Sequence, residues 1–271
     1  MTTQIQTIPN LADLHLKGSG IHLAISGTYS TGKSTTTEAL SIATGIARTH
    51  AMTSREILID LVPGKQVQEL NAMELNALGL RRLEERIHNE SSDAAFISDG
   101  SVIHEWVYGQ ARLQVGINPG ASWPLRVVKG VAGLPVKKFY KQYMDSYGTV
   151  TKARAARIYD AYVHLPVEFD MKPDGHRPVS EPFRKLSDQL LLETIKEMGL
   201  PYFVATGSIE ERVHKITEAF NLPCVVPVDQ AVEQAQQRVA QATAILEEDD
   251  RFHEAQRQKS LIQRLKYALR Y

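Results

Sequence analysis

The octapeptide Gly27-Thr28-Tyr29-Ser30-Thr31-Gly32-Lys33-Ser34 constrains this chain more than any other stretch. It follows the apolar run Ile21-His22-Leu23-Ala24-Ile25-Ser26, and the residues from Lys33 to about Ala43 read as a helix. Two glycines between a strand and a helix let successive backbone N–H groups curl inward toward an anion, and the helix N-terminus adds its dipole. Lys33 brings a cation to the β- and γ-phosphates of a nucleoside triphosphate, and Ser34 offers a hydroxyl to Mg²⁺. Residues 27–34, with Thr35 beyond them, are therefore assigned to phosphate binding, and ATP with Mg²⁺ is the expected pair.

The rest of the chain supplies a scaffold of the kind this loop needs. A helical pattern over residues 66–90 carries Leu70, Leu75, Leu78, Leu83 and Ile87, and a buried strand over 93–98 ends at Asp99. Further strands are expected at 158–165 and 202–205, each beside a helical segment, and this alternation predicts a mostly parallel sheet with helices on both faces. With 271 residues, 43% hydrophobic and 23% charged, the chain suits one large α/β domain. The expected division is an N-terminal arm (1–20), a nucleotide-binding domain (21–225) with an insertion at about 101–157, and a C-terminal helical appendage (226–271). In that appendage Val232, Ala235, Val239, Ala242 and Leu246 recur at helical spacing, for packing on the same domain or, alternatively, against a second copy in a homo-oligomer.

Composition narrows the partners. Lys+Arg 31 balance Asp+Glu 31, so no global field draws the protein to nucleic acid or membrane. The only cysteine is Cys224, which excludes an intramolecular disulfide and a cysteine metal cluster. No stretch has the length of a membrane span and Met1-Thr2-Thr3-Gln4 begins no signal pattern, so a soluble cytoplasmic protein acting on a small-molecule acceptor is expected.

Asp99, at the carboxyl end of a strand beside the loop, is placed to accept a proton from an attacking hydroxyl or to hold Mg²⁺ through water; the plainer alternative is a helix cap. Glu105 is a candidate for orienting substrate or metal, with a solvated helix position as the alternative. Residues 101–157 carry nine Lys/Arg against two acids, interleaved with aromatics. Trp106, Tyr108 and Arg112 from that stretch are candidate substrate contacts for an anionic or nucleotide-like acceptor, or for single-stranded nucleic acid. Against this stands the reading that the aromatics are core and the lysines solvated. A second basic run, 251–271, with six Lys/Arg against Glu254, reads as a solvated helix face.

Three sets of residues resemble the nicotinamide-ribonucleoside-kinase-like P-loop ATPases, related to nucleoside and thymidylate kinases. They are the glycine loop; Phe96-Ile97-Ser98-Asp99 with the following Gly100-Ser101 and Glu105; and Tyr159-Asp160 through Asp174-Gly175-His176-Arg177, Phe183-Arg184, Asp188 and Gly207-Ser208-Ile209-Glu210-Glu211-Arg212. The resemblance covers about residues 21–217 and implies a P-loop kinase-like three-layer α/β sandwich, with five parallel strands in the order 2-3-1-4-5. It implies a lid at about 170–188 whose Arg177 and Arg184 close over the triphosphate, and nucleotide contacts from Gly207 and Arg212. The family often carries Arg after the strand-end acid, where this chain has Gly100, so the charge is expected from Arg48, Arg55 or the basic insertion. The function implied is transfer of the γ-phosphoryl of ATP to a hydroxyl of a nucleoside-like or other metabolite, with an anionic acceptor included. The alternatives are a nucleotide-dependent switch that engages a partner or lipid and, less favoured for want of any helicase-type motif, an ATPase acting on nucleic acid.

Overall fold

The computed structural model describes residues 20–65, 67, 70–115, 134–170 and 181–256. Five parallel strands form one sheet: β1 (His22–Ser26), β2 (Ala47–Thr49), β3 (Phe96–Asp99), β4 (Ala161–His164) and β5 (Tyr202–Val204), in the order β2-β3-β1-β4-β5. Central β1 pairs Ile25 with Asp99 on one side and with Val163 on the other, so the chain leaves the sheet at the phosphate loop midway between two strand ends. The expected strand order is the one found.

Helices cover both faces. On one lie α1 (Lys33–Thr44), α7 (Ile209–Ala219) and α8 (Val228–Gln256). On the other lie α3 (Ala72–Glu90), α4 (His104–Val115), α5 (Leu134–Ile158) and α6 (Glu181–Glu197), while α2 (Ser54–Leu61) packs against α3 beyond the end of β2. Alternate side chains of each strand serve the two layers. Leu23, Ile25, Ile97 and Val163 join the core under α1, whereas Ala24, Phe96 and Tyr162 join that under α3 to α6. Burial on both faces explains why the strands read as apolar runs rather than alternating ones.

Two boundaries differ from expectation. Helix α3 starts at Ala72, not near 66, because Asn71 caps it: its side chain accepts from the amides of Met73 and Glu74 while Glu74 reaches back to the Asn71 amide. The apolar residues from 158 onward are not all strand. Helix α5 runs through Ile158, burying Tyr140, Met144, Tyr147 and Ala155 at helical spacing, and β4 starts only at Ala161. Asp160 makes the junction, its carboxylate accepting from the His22 amide at 2.7 Å.

The described part of the basic insertion is thus α4 and an amphipathic α5. Tyr140 and Tyr147 are core, while Lys138 and Lys141 are exposed and Lys141 pairs with Asp145 on the surface. In the C-terminal region, Val228, Ala231, Val232 and Ala235 of α8 are buried on α1 and α7. The basic run 251–271 lies largely beyond the side chains described, and no helix among the described residues is long and apolar enough to cross a membrane.

Candidate active site

The carboxyl ends of β1, β2 and β3 open into one cleft of about 460 Å³. Its floor at one end is the loop 28–35. Gly32 has φ 77, and a Cβ there would lie 2.8 Å from Cδ1 of Ile209; Gly27 has φ 147, and a Cβ there would lie 2.7 Å from the Leu165 carbonyl oxygen. Any other residue at either place would open the loop.

Turning amides toward a phosphate turns carbonyls away from it, and buried carbonyls need donors. Two buried arginines supply them. Arg184, 2% exposed, donates from Nε to the Tyr29 carbonyl (2.9 Å) and from Nη2 to those of Ser30 (3.2 Å) and Phe169 (2.6 Å). Arg212, fully buried, donates to the Thr31 carbonyl at 2.5 Å, pairs with Glu168 at 2.6 Å and lies 4.7 Å from the centre of the Phe169 ring. Where the lid expectation had Arg184 close over the triphosphate, its guanidinium is bonded to backbone carbonyls of the loop and does not line the cleft. Arg212 bonds the loop likewise, and neither it nor Gly207, whose amide donates to Glu168, lines the cleft. Arg177 lies outside the described residues.

Asp99 faces the loop from the end of β3. Its Oδ2 accepts from Nη2 of Arg48 at 2.7 Å, and Lys33 and the Ser34 hydroxyl are near enough to favour its charge. Burial would raise its pKa, but Lys33, Arg48 and the Ser34 hydroxyl outweigh burial and hold it down at about 2. A carboxylate held ionised beside the loop serine has the chemistry to help hold a Mg²⁺ ion, with Ser34 and Asp99 as the residues that would do so. No cluster of three or more His, Cys, Asp or Glu among the described residues offers an all-protein metal cage.

The other end of the cleft is lined by cations and rings. Glu105 pairs with Arg82 at 2.7 Å, and Arg82 also donates to the Ser54 hydroxyl at 3.2 Å. Tyr108 stacks on Tyr29 of the loop, ring centres 4.8 Å apart, and the Arg112 charge reaches the Tyr140 hydroxyl. Arg55, Glu105, Tyr108 and Arg112 all line the cleft. Trp106 does not: its Nε1 donates to the Met144 carbonyl at 2.8 Å and Lys152 covers its ring, because a position one residue from Glu105 faces α5.

Sequence reasoning missed four residues here, Arg82 and Arg86 of α3, His50 and His104. The signal for the first two was present, since Arg82, Arg86 and Glu90 recur four apart on the same helix as the apolar Leu78 and Leu83. Arg86 also accounts for Gly100. Its Nη2 lies 3.0 Å from where a Cβ of residue 100 would stand, and it donates to the Asp99 carbonyl at 3.1 Å, while Nη1 donates to the Ser98 hydroxyl at 2.8 Å. A guanidinium from α3 thus sits beside the strand-end acid, while Arg48 contacts the carboxylate itself. His104 is kept neutral by burial and by Lys33 and Arg86, with Nδ1 accepting from the Ser101 amide at 2.9 Å.

The sheet order, the glycine loop and the strand-end acid define a P-loop phosphotransferase or nucleoside triphosphatase. The chain belongs to the AAA domain family, whose model matches residues 22–212. Among solved structures, the fold is similar to that of deoxyadenosine kinase from M. mycoides with bound dATP (15% identity, TM-score 0.53), covering 73% of this chain and 98% of that one. A second structure of that kinase, with products dCMP and dCDP, gives 15% identity and a TM-score of 0.51 over 73% and 97% of the two chains. No curated protein matches the sequence.

Proposed function

We propose that the protein is an ATP-dependent kinase that transfers the γ-phosphoryl group to a hydroxyl of a nucleoside-like, anionic small molecule. The observation that carries this reading is the continuity of the cleft. The phosphate loop and the Arg82–Glu105–Arg112 end line a single cavity, which supports a site for an acceptor next to that for the donor's phosphates. A switch that only senses a γ-phosphate has no use for the second end.

Lys33 and the loop amides bind the triphosphate, and Lys33 stabilises charge that develops on the transferred group. Ser34 and Asp99 would hold Mg²⁺, which would supply positive charge to offset that of the phosphates. Arg184 and Arg212 keep the loop in its binding shape. At the acceptor end Arg55, Arg82 and Arg112 favour an anionic group and Tyr108 offers a face for a ring, while Glu105 fixes Arg82 and orients a hydroxyl. Phosphoryl transfer asks for positioning more than for a strong base, and Asp99, ionised at any working pH, contributes electrostatically. Resemblance to a kinase fold and the family's loop support the reading, and Arg177 is proposed to reach the triphosphate from the 170–188 segment.

The test is acceptor-dependent ADP release with Mg·ATP, screening nucleosides and their monophosphates in parallel. Turnover that rises at least tenfold with one acceptor class, favouring phosphorylated members, is the expected result. A slow ADP release indifferent to every acceptor would leave a nucleotide switch in its place.

A further inference from the structure

The C-terminal helix α8 is longer than its packing on the core requires. Its buried stripe, Val228, Ala231, Val232 and Ala235, continues at helical spacing through Val239, Thr243 and Leu246. Beyond Ala235, however, the stripe has left the hydrophobic core, and Thr243 and Leu246 line the nucleotide cleft.

A chain of ion pairs sets α8 on the β2 side of the sheet. Arg238 of α8 pairs with Glu38 of α1 at 2.9 Å, Glu38 pairs with Arg48 at 3.1 Å, and Arg48 pairs with Asp99 at 2.7 Å. The helix therefore passes α1 on the side of β2, the strand that leads to Thr53 and Arg55 rather than to the loop braced by Arg184. Leu246 lies eight residues past Arg238, about 12 Å further along the axis.

We infer that α8 is a wall of the acceptor end of the cleft, with Thr243 and Leu246 touching the phosphoryl acceptor and setting which acceptors fit. This rests on the kinase reading for the name of the ligand, not for the position of the wall. An apolar leucine in the cleft that Arg55, Arg82 and Arg112 also line suits an acceptor that carries both a ring and an anionic group. Ile245, 68% exposed and off the stripe, serves as the control position.

The experiment uses the full chain with its exposed Cys224 replaced by serine and a reporter thiol introduced as Leu246→Cys, or as Ile245→Cys for the control. Maleimide modification is timed with ATP alone and with diadenosine pentaphosphate, which is long enough to fill both ends; displacement of a fluorescent ATP analogue verifies that each is bound. At ten times its Kd, diadenosine pentaphosphate should slow modification at position 246 by about tenfold, while ATP alone and the Ile245 position show little change. In parallel, Leu246→Trp should raise the KM for the acceptor by about tenfold with unchanged ATP affinity and Tm. Equal modification rates at 246 with and without bound diadenosine pentaphosphate, or protection by ATP alone to the same degree, overturn the inference. Acceptor-dependent ADP release by the parent chain decides the kinase reading separately. If that release is absent but Cys at 246 is protected, the kinase reading fails and the wall stands.

Discussion

Nη2 of Arg48 lies 2.7 Å from Oδ2 of Asp99, and that contact joins the end of β2 to the end of β3 across the mouth of the phosphate loop. With Lys33 and Ser34 on the other side, the carboxylate is held at a pKa of about 2. A group so acidic is a poor proton acceptor near neutrality. Asp99→Asn is therefore expected to lower kcat by about a hundredfold and to raise the Mg²⁺ concentration needed for half-maximal rate. The wild-type pH–rate profile should show no acid limb from Asp99 above about pH 5. A limb in that range that disappears in Asp99→Asn would make the residue a general base after all.

The same contact has a stability consequence. The folded pKa of Asp99 lies below its ordinary value of 3.8, so its ionised form stabilises the fold above about pH 4, and that contribution is lost as pH falls toward 2. Tm measured against pH for wild type and Asp99→Asn should converge at the acid end and diverge above it. Parallel curves over the whole range would show that Arg48 adds nothing through this carboxylate.

Lys33→Ala should keep the fold, since the side chain lines the cleft, while ATP turnover falls by about a hundredfold or more because the cation beside the β- and γ-phosphates is gone. Tm within a few degrees of wild type, together with lost turnover, is the expected pair. Full turnover in the folded variant would refute the phosphate-loop assignment.

Arg184 and Arg212 divide a stability role from a chemical one. Each donates to carbonyls of the loop, so Arg184→Ala removes the donor to the Tyr29, Ser30 and Phe169 oxygens, all in partly buried bonds. The cost should be about 1.5–3 kcal/mol, seen as a fall in Tm without nucleotide and a parallel loss of ATP affinity. Arg184→Lys should recover little, because one ammonium cannot reach carbonyls spread around a planar fork. Normal stability and affinity with kcat alone reduced would instead mark a lid that acts in the transition state.

Much of this architecture was legible in the chain. The loop, its flanking strand and helix and Asp99 at a strand end follow from local pattern and spacing, whereas the strand order comes only from the resemblance. The roles of the arginines were not, because a guanidinium serves a phosphate or a carbonyl equally well and only the fold decides which it meets. Arg184 turned to backbone oxygens 154 and 155 residues away in sequence, and Arg48 reached a carboxylate 51 residues on. Trp106 failed for a different reason: on a helix, its neighbours Glu105 and Tyr108 face the cleft, and the position between them faces α5. The reach of α8 into the cleft could not be read from its apolar spacing, which is the same whether the facing surface is core or ligand.

Gly100 offers a test of the α3 arginine. Its φ of 99 disfavours any side chain, and a Cβ would stand 3.0 Å from Nη2 of Arg86 and 3.5 Å from Cζ. Gly100→Ala must therefore strain the backbone or push aside a guanidinium that is 5% exposed and bonded to the Ser98 hydroxyl and the Asp99 carbonyl. Glu90 shares the network, accepting from Ser98 and from Tyr159 at 2.7 Å each, so the shift cannot be absorbed by one side chain alone. The expected cost is about 2–3 kcal/mol in stability, with kcat reduced because Asp99 moves with its carbonyl, and ATP affinity nearly kept because the loop is braced independently by Arg184 and Arg212. Backbone strain alone would spare kcat. Denaturant unfolding and steady-state kinetics on Gly100→Ala separate the two causes: loss of stability with kcat unchanged would show that Arg86 occupies the space beside Gly100 without governing the acid next to it.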